Sequence, residues 1–195
     1  MWKRVLLAVC LVWGSYAWWT TRALSRDPGV LAPAIPIQEA ASNVKPFDYK
    51  KYRITPLAQY SIEARVLGRE DYHLGRESDV SPMDLALGWG PMSDDKVLGK
   101  VHISQSNRFY YWTVQEFPIP RESIETNSAN THLIPADATV ARKLKQIKKG
   151  HIVRLRGYLV RVDAADGWHW ISSLARNDVG DGACELLWVQ DVAMR

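Results

Sequence analysis

Cysteine is scarce. Of 195 residues only Cys10 and Cys184 carry a thiol, Cys10 sits inside an apolar N-terminal run, and no disulfide framework can staple the remainder. Metal-ligand spacing is missing too. His73, His102, His132, His151 and His169 include no pair four residues apart and no His-Glu-x-x-His, and there is no Cys-x-x-Cys. Asn177–Gly182 lacks the carboxylate at every second position that a calcium loop needs. No metal and no cofactor are therefore expected. Internal repeats, low-complexity segments and diagnostic catalytic motifs are absent as well. A strong positive charge is also missing: the net +4 owes half its excess to Lys3 and Arg4, which leaves 23 basic residues against 21 acidic ones. A nucleic-acid footprint is a basic domain or stripe, so nucleic acid is a minor hypothesis here.

What is present begins at the N-terminus. Val5–Trp19 is uncharged and follows Lys3 and Arg4, with Trp2, Trp13, Trp18 and Trp19 crowding the run, where indoles favour a membrane interface. Fifteen residues are short for a span of ~20, but interfacial Trp and snorkelling Lys and Arg extend it. Residues 1–26 are read as an uncleaved signal-anchor or transmembrane segment. A signal peptide cleaved after Ser15-Tyr16-Ala17 is the rival reading, and Trp18-Trp19 directly behind that site argues for the anchor. Lys3 and Arg4 are balanced by Arg22 and Arg26, so the signal-like layout decides orientation: N-terminus inside, the rest exported. Residues 27–51, with Pro28, Pro33, Pro36 and Pro46, read as a semi-extended tether, and residues 52–195 as one β-rich domain.

Pro135–Val162 is the most legible unit. Asp137 can N-cap a helix, Val140, Leu144 and Ile147 fall on one face, and Gly150 follows as a stop. His151–Val162 then alternates as a half-buried strand. Between Ala138 and Val162 there are eight Lys/Arg residues and no acid. Before this unit, Leu57–Leu67 is expected as a strand that Gly68 ends. Ser81, Pro82 and Asp84 resemble the start of a short helix that Gly88 stops. Val97–Ile103 and Phe109–Val114 form a hairpin, and Ser128–Pro135 is an extended piece. After it, Asp163–Gly167 turns the chain into a strand at Trp168–Leu174, and Cys184–Val192 closes the fold.

Short strands with one helix before a strand-turn-strand unit predict a mainly β (α+β) fold. Its form is an OB-like small antiparallel barrel preceded by one N-terminal transmembrane helix, with Gly157 where a barrel strand bends. The Ser128-Ala-Asn-Thr-His132 and Gly182-Ala-Cys-Glu185 segments resemble those of uncharacterised membrane-anchored bacterial proteins. That resemblance carries no activity. It implies a single-pass protein of the bacterial inner membrane whose C-terminal domain lies in the periplasm.

Two functions follow from different residues. The first is a non-catalytic binding or assembly module of the envelope, membrane-held through its N-terminal helix and open to an envelope protein complex. It engages an acidic partner, lipid headgroups or glycan through Arg142, Lys145, Lys149, Arg154 and Arg156, assisted by Trp89, Tyr110 and Trp112. The alternative is a small hydrolase or transferase with Cys184 as nucleophile, His132 as base, and Asn130 or Asp178 orienting the imidazole. A lone cysteine within Ala-Cys-Glu-Leu-Leu-Trp is more often a small buried hydrophobe, which favours the module.

Overall fold

The computed structural model describes residues 2–175 and 183–195. Helix α1 (Trp2–Thr21) opens the chain. Trp2, Val5, Leu6, Leu7, Val9, Leu11, Val12 and Trp13 on it are all more than half exposed. Among the described residues, no helix is long and apolar enough to cross a membrane.

The proline-rich segment does not swing free. The Gly29 amide donates to Asp94, those of Leu31 and Ala32 donate to the Ser93 hydroxyl, and the Ala32 carbonyl accepts from Gly90. Proline keeps such a segment extended, and extended backbone leaves its amides open to a loop of acceptors. Strands β1 (Ile37–Ala40) and β2 (Phe47–Tyr49) then pair with β3 (Tyr52–Asp71). That twenty-residue strand runs through Gly68, where its register with the next strand shifts, so this glycine marks a bulge and not an end.

After α2 (Arg76–Val80) comes the main correction. Met83–Gly88 is strand β4, and all six of its residues are buried. Ser81, Pro82 and Asp84 carry local helix-start chemistry, but pairing of Met83–Gly88 with strands on both sides overrides it. A 3-10 turn (Gly90–Ser93) leads to α3 (Asp95–Leu98), whose first turn is capped by the Asp94 carboxylate on Lys96 N. That cap moves Val97 and Leu98 out of the expected strand, and β5 (Val101–Ser106) starts later. It forms a hairpin with β6 (Phe109–Val114), and this pair is a separate two-stranded sheet. Helix α4 (Arg121–Thr126) precedes β7 (Ser128–Pro135).

Helix α5 (Ala138–Lys145) is capped as the sequence indicates: Asp137 Oδ1 accepts from Thr139 and Val140 amides at 2.6 and 2.8 Å. It is shorter than expected, so Lys149 lies in the turn beyond it. Strands β8 (Ile152–Ala164), β9 (His169–Ile171) and β10 (Glu185–Met194) complete the chain. Hydrogen bonding runs β3–β4–β7–β10–β8 and back to β3, which makes the sheet partly ring-like. Within that path, β7–β10 is parallel and the other pairs are antiparallel. A Cβ on Gly157 would run into the Trp188 carbonyl beside the β8–β10 bulge, so this position takes glycine.

Strand alternation sorts side chains to two faces. Tyr60, Ile62, Leu85, Leu87, Leu133 and Leu187 join Val140, Leu144 and Ile147 in one core. Their neighbours Ile134, Leu186 and Trp188 point the other way and pack with Phe47, Tyr49 and Trp170. A third cluster, Leu67, Ala86, Met92, Val101 and Ile124, packs against the β5–β6 hairpin.

Candidate functional site

Cross-strand register assembles a polar row on one face of the sheet. Glu70 on β3 lies opposite Asp84 on β4, and Asp84 lies opposite His132 on β7. Asn130 shares the His132 face, because positions two apart on a strand point the same way. This face meets the hairpin tip. Arg108 Nη1 donates to Asp84 Oδ1 at 2.8 Å, and Gln105 Nε2 donates to Asn130 Oδ1 at 2.8 Å. Asn130 Nδ2 in turn donates to the Arg108 carbonyl at 2.8 Å.

The Asp84 side chain is 0% exposed, and a carboxylate so placed needs its charge answered. Arg108 answers it at Oδ1. His132 Nδ1 comes within 2.9 Å of the same oxygen without the alignment of a hydrogen bond, and Oδ2 has no hydrogen-bond partner among the described residues. Aromatic faces enclose the guanidinium, with Arg108 Cζ 3.6 Å from the Tyr72 ring centroid and 5.6 Å from that of Trp170. The Tyr72 hydroxyl, which accepts from Arg108 N at 3.0 Å, has its pKa pushed up to about 12, first by burial and then by the Asp84 charge. Trp170 packs on His132 with centroids 4.7 Å apart.

The residues expected for catalysis only partly converge. Cys184 Sγ lies 3.9 Å from Asn130 Nδ2 and 3.9 Å from the Arg108 carbonyl oxygen. Neither group is a base. His132 stands beside Asn130, but its Nδ1 faces Asp84, and Asp178 lies outside the described residues.

The basic strip is also unevenly disposed. Arg142, Lys145 and Lys149 are exposed, with Arg142 donating to the Thr139 hydroxyl. Arg154 and Arg156 share one exposed face of β8, but Arg154 is taken by Glu63, which also binds Arg195. Glu63 is held below the usual carboxylate range chiefly by the Arg195 contact, with Arg154 adding to it. Lys145, Lys148 and Lys149 line a cleft of about 620 Å³ with Arg69 and Glu70. Arg69 is committed to Asp71 and to the carbonyls of Lys145 and Ile147. Next to this cleft the segment after α1 docks. Leu24 N donates to the Lys149 carbonyl at 2.8 Å, and Arg26 reaches the carbonyls of Gly150 and Arg195.

The aromatic expectations need correction. Trp89 is 2% exposed inside the main core, out of reach of a surface ligand, because the turn after β4 folds inward onto Asn127. Tyr110 and Trp112 pack into the third cluster, and the Tyr110 hydroxyl donates to Ser128; its pKa is pushed up to about 12 by burial. Tyr111, one position out of phase, is 48% exposed. From sequence Asp84 reads as part of a helix start and not as a site residue, and Arg108, Tyr72 and Trp170 carry no functional signal. Alternation in Asp84-Leu-Ala and Asn130-Thr-His132 was the available signal for one shared face.

Comparison with protein-family models, curated proteins and solved structures finds no match for this chain.

Proposed function

We propose that the chain is a non-catalytic, membrane-anchored binding module of the bacterial envelope, exported to the periplasm, that applies its basic strip to anionic lipid headgroups. The observation that carries this reading is the Leu24–Lys149 hydrogen bond, which ties the strip to a residue three positions past the end of α1. Whatever surface receives α1 also meets Lys145, Lys148 and Lys149. Among the described residues no acid pairs with these three, and each basic residue near an anionic surface contributes about 1 kcal/mol.

Support for the anchor lies in the exposed apolar side chains of α1 and the uncharged run Val5–Trp19. Fifteen residues make about 22 Å of helix against a hydrocarbon core of about 30 Å, so the flanking Trp, Lys3 and Arg4 must occupy the interfaces. Support for an OB-like barrel lies in the strand path, the parallel β7–β10 pair and the place of α5 between β7 and β8. The reading asks nothing of Cys184, whose contacts with Asn130 and a carbonyl do not favour a Cys/His hydrolase.

Hydrogen exchange of full-length protein in nanodiscs tests it. Residues 142–150 should be protected in anionic discs compared with zwitterionic discs. The difference should shrink as added salt brings the Debye length to ~8 Å, and vanish when Arg142, Lys145 and Lys149 are all changed to Glu. Equal protection in the two lipids would overturn the reading, while Cys184→Ala should leave the difference intact.

A further inference from the structure

Arg108 occupies a recess whose chemistry is complete without it. Glu70 and Asp84 face each other across β3 and β4, and like charges directly opposite on a sheet repel. Tyr72 and Trp170 offer ring faces, and the field of both carboxylates bears on the Tyr72 hydroxyl. The buried Asp84 Oδ2 has no hydrogen-bond partner among the described residues, although a carboxylate can take two parallel N–H bonds from one guanidinium. Two carboxylates, two aromatic faces and an unused acceptor describe a receptor for a planar cation. Arg108 uses one oxygen of it.

The way Arg108 is delivered suggests an exchangeable occupant. It comes from a hairpin that, among the described residues, has no ladder pairing with the main sheet. Asn107 and Arg108 both take positive φ, 51° and 71°, where neither is glycine, so the tip holds a conformation that L side chains disfavour.

We propose that the Glu70–Asp84–Tyr72–Trp170 recess is a binding site for the guanidinium group of an arginine-bearing protein partner, kept shut by Arg108. A partner's arginine displaces the tip and takes both oxygens of Asp84. Glu70 borders both this recess and the cleft that Lys145, Lys148 and Lys149 line, so the two sites adjoin, but neither reading needs the other.

The test uses full-length protein in detergent and ethylguanidinium as the probe, followed by NMR of the Gln105 and Asn130 side-chain amides. Arg108→Gly is the variant of choice, because glycine accepts the positive φ. It should bind ethylguanidinium saturably, with the wild type about tenfold weaker because its site is mostly occupied. Adding Asp84→Asn should abolish binding. Acetyl-arginine amide should follow the same order, with the wild type still binding detectably. Two results overturn the proposal: no saturable binding to Arg108→Gly, or binding that Asp84→Asn leaves unchanged. If Arg108→Gly loses its native near-ultraviolet circular dichroism, recovery becomes the readout. Ethylguanidinium must then restore the signal, and failure to exceed sodium chloride at equal ionic strength overturns the proposal.

Discussion

The ring strands and the β5–β6 hairpin are both antiparallel β-structure, but they are held in different ways. Each ring strand exchanges backbone hydrogen bonds with neighbours on both sides, and its inward side chains share one core. Among the described residues the strand ladder of the hairpin joins only β5 and β6, and the pair is attached through Val101, Tyr110 and Trp112 and the side-chain hydrogen bonds of Gln105 and Arg108. Loss of one ring contact is felt throughout the ring, whereas the hairpin has a route to detach by itself. Stability and exchangeability thus reside in separate parts of one small protein.

The strongest way to break that contrast is at Trp89. Trp89→Ala should cost about 3–5 kcal/mol in denaturant unfolding, with all probes moving together. A smaller loss confined to residues 89–93 would place Trp89 outside the ring core. Next is Leu144, which is 3% exposed: Leu144→Ala should cost about 2–5 kcal/mol, while Lys145→Ala stays within about half a kcal/mol. Equal effects from the pair would mean that α5 is not docked by its apolar stripe. Trp112→Ala should cost ~1–2 kcal/mol and raise hydrogen exchange across residues 101–114 only. Ring amides that exchange equally fast would erase the distinction between the two regions.

The smallest effect concerns acid. Amide donors Gly29 and Lys96 hold the Asp94 carboxyl below its ordinary range. A carboxyl depressed in the folded state stabilises above its unfolded pKa near 4, and that contribution disappears as pH falls through the lower folded value. Protection factors at Gly29 should therefore fall between neutral pH and pH ~3 while ring amides hold. Unchanged protection at Gly29 would show that the Asp94 contact does not retain the linker.

Legibility followed the range of the forces involved. The Asp137 cap, the Val140–Leu144–Ile147 stripe and the alternation of β8 are local patterns, and they could be read directly. Met83–Gly88 could not, because Ser81, Pro82 and Asp84 present helix-start chemistry whatever lies beside them, and the partners that make a strand of them are distant in sequence. The docked linker was hidden for the same reason, since its acceptors, Ser93 and Asp94, lie some sixty residues on. At the candidate site, Asn130, His132 and Cys184 were visible as chemistry-bearing types. Asp84 and Arg108 become partners only when the hairpin folds over the sheet. For Phe109–Trp112, aromatics at every position left the inward phase undetermined, and packing chose Tyr110 and Trp112.

The short link after α1 has a mechanical consequence. Thr21 and Leu24 are three residues apart, a reach of about 11 Å at most, and Leu24 is already bonded to the turn after α5. A domain on so short a stem cannot tumble at the end of a leash. The turn after α5 therefore stays within that reach of the helix end, and it is the side of the ring that follows wherever α1 is held.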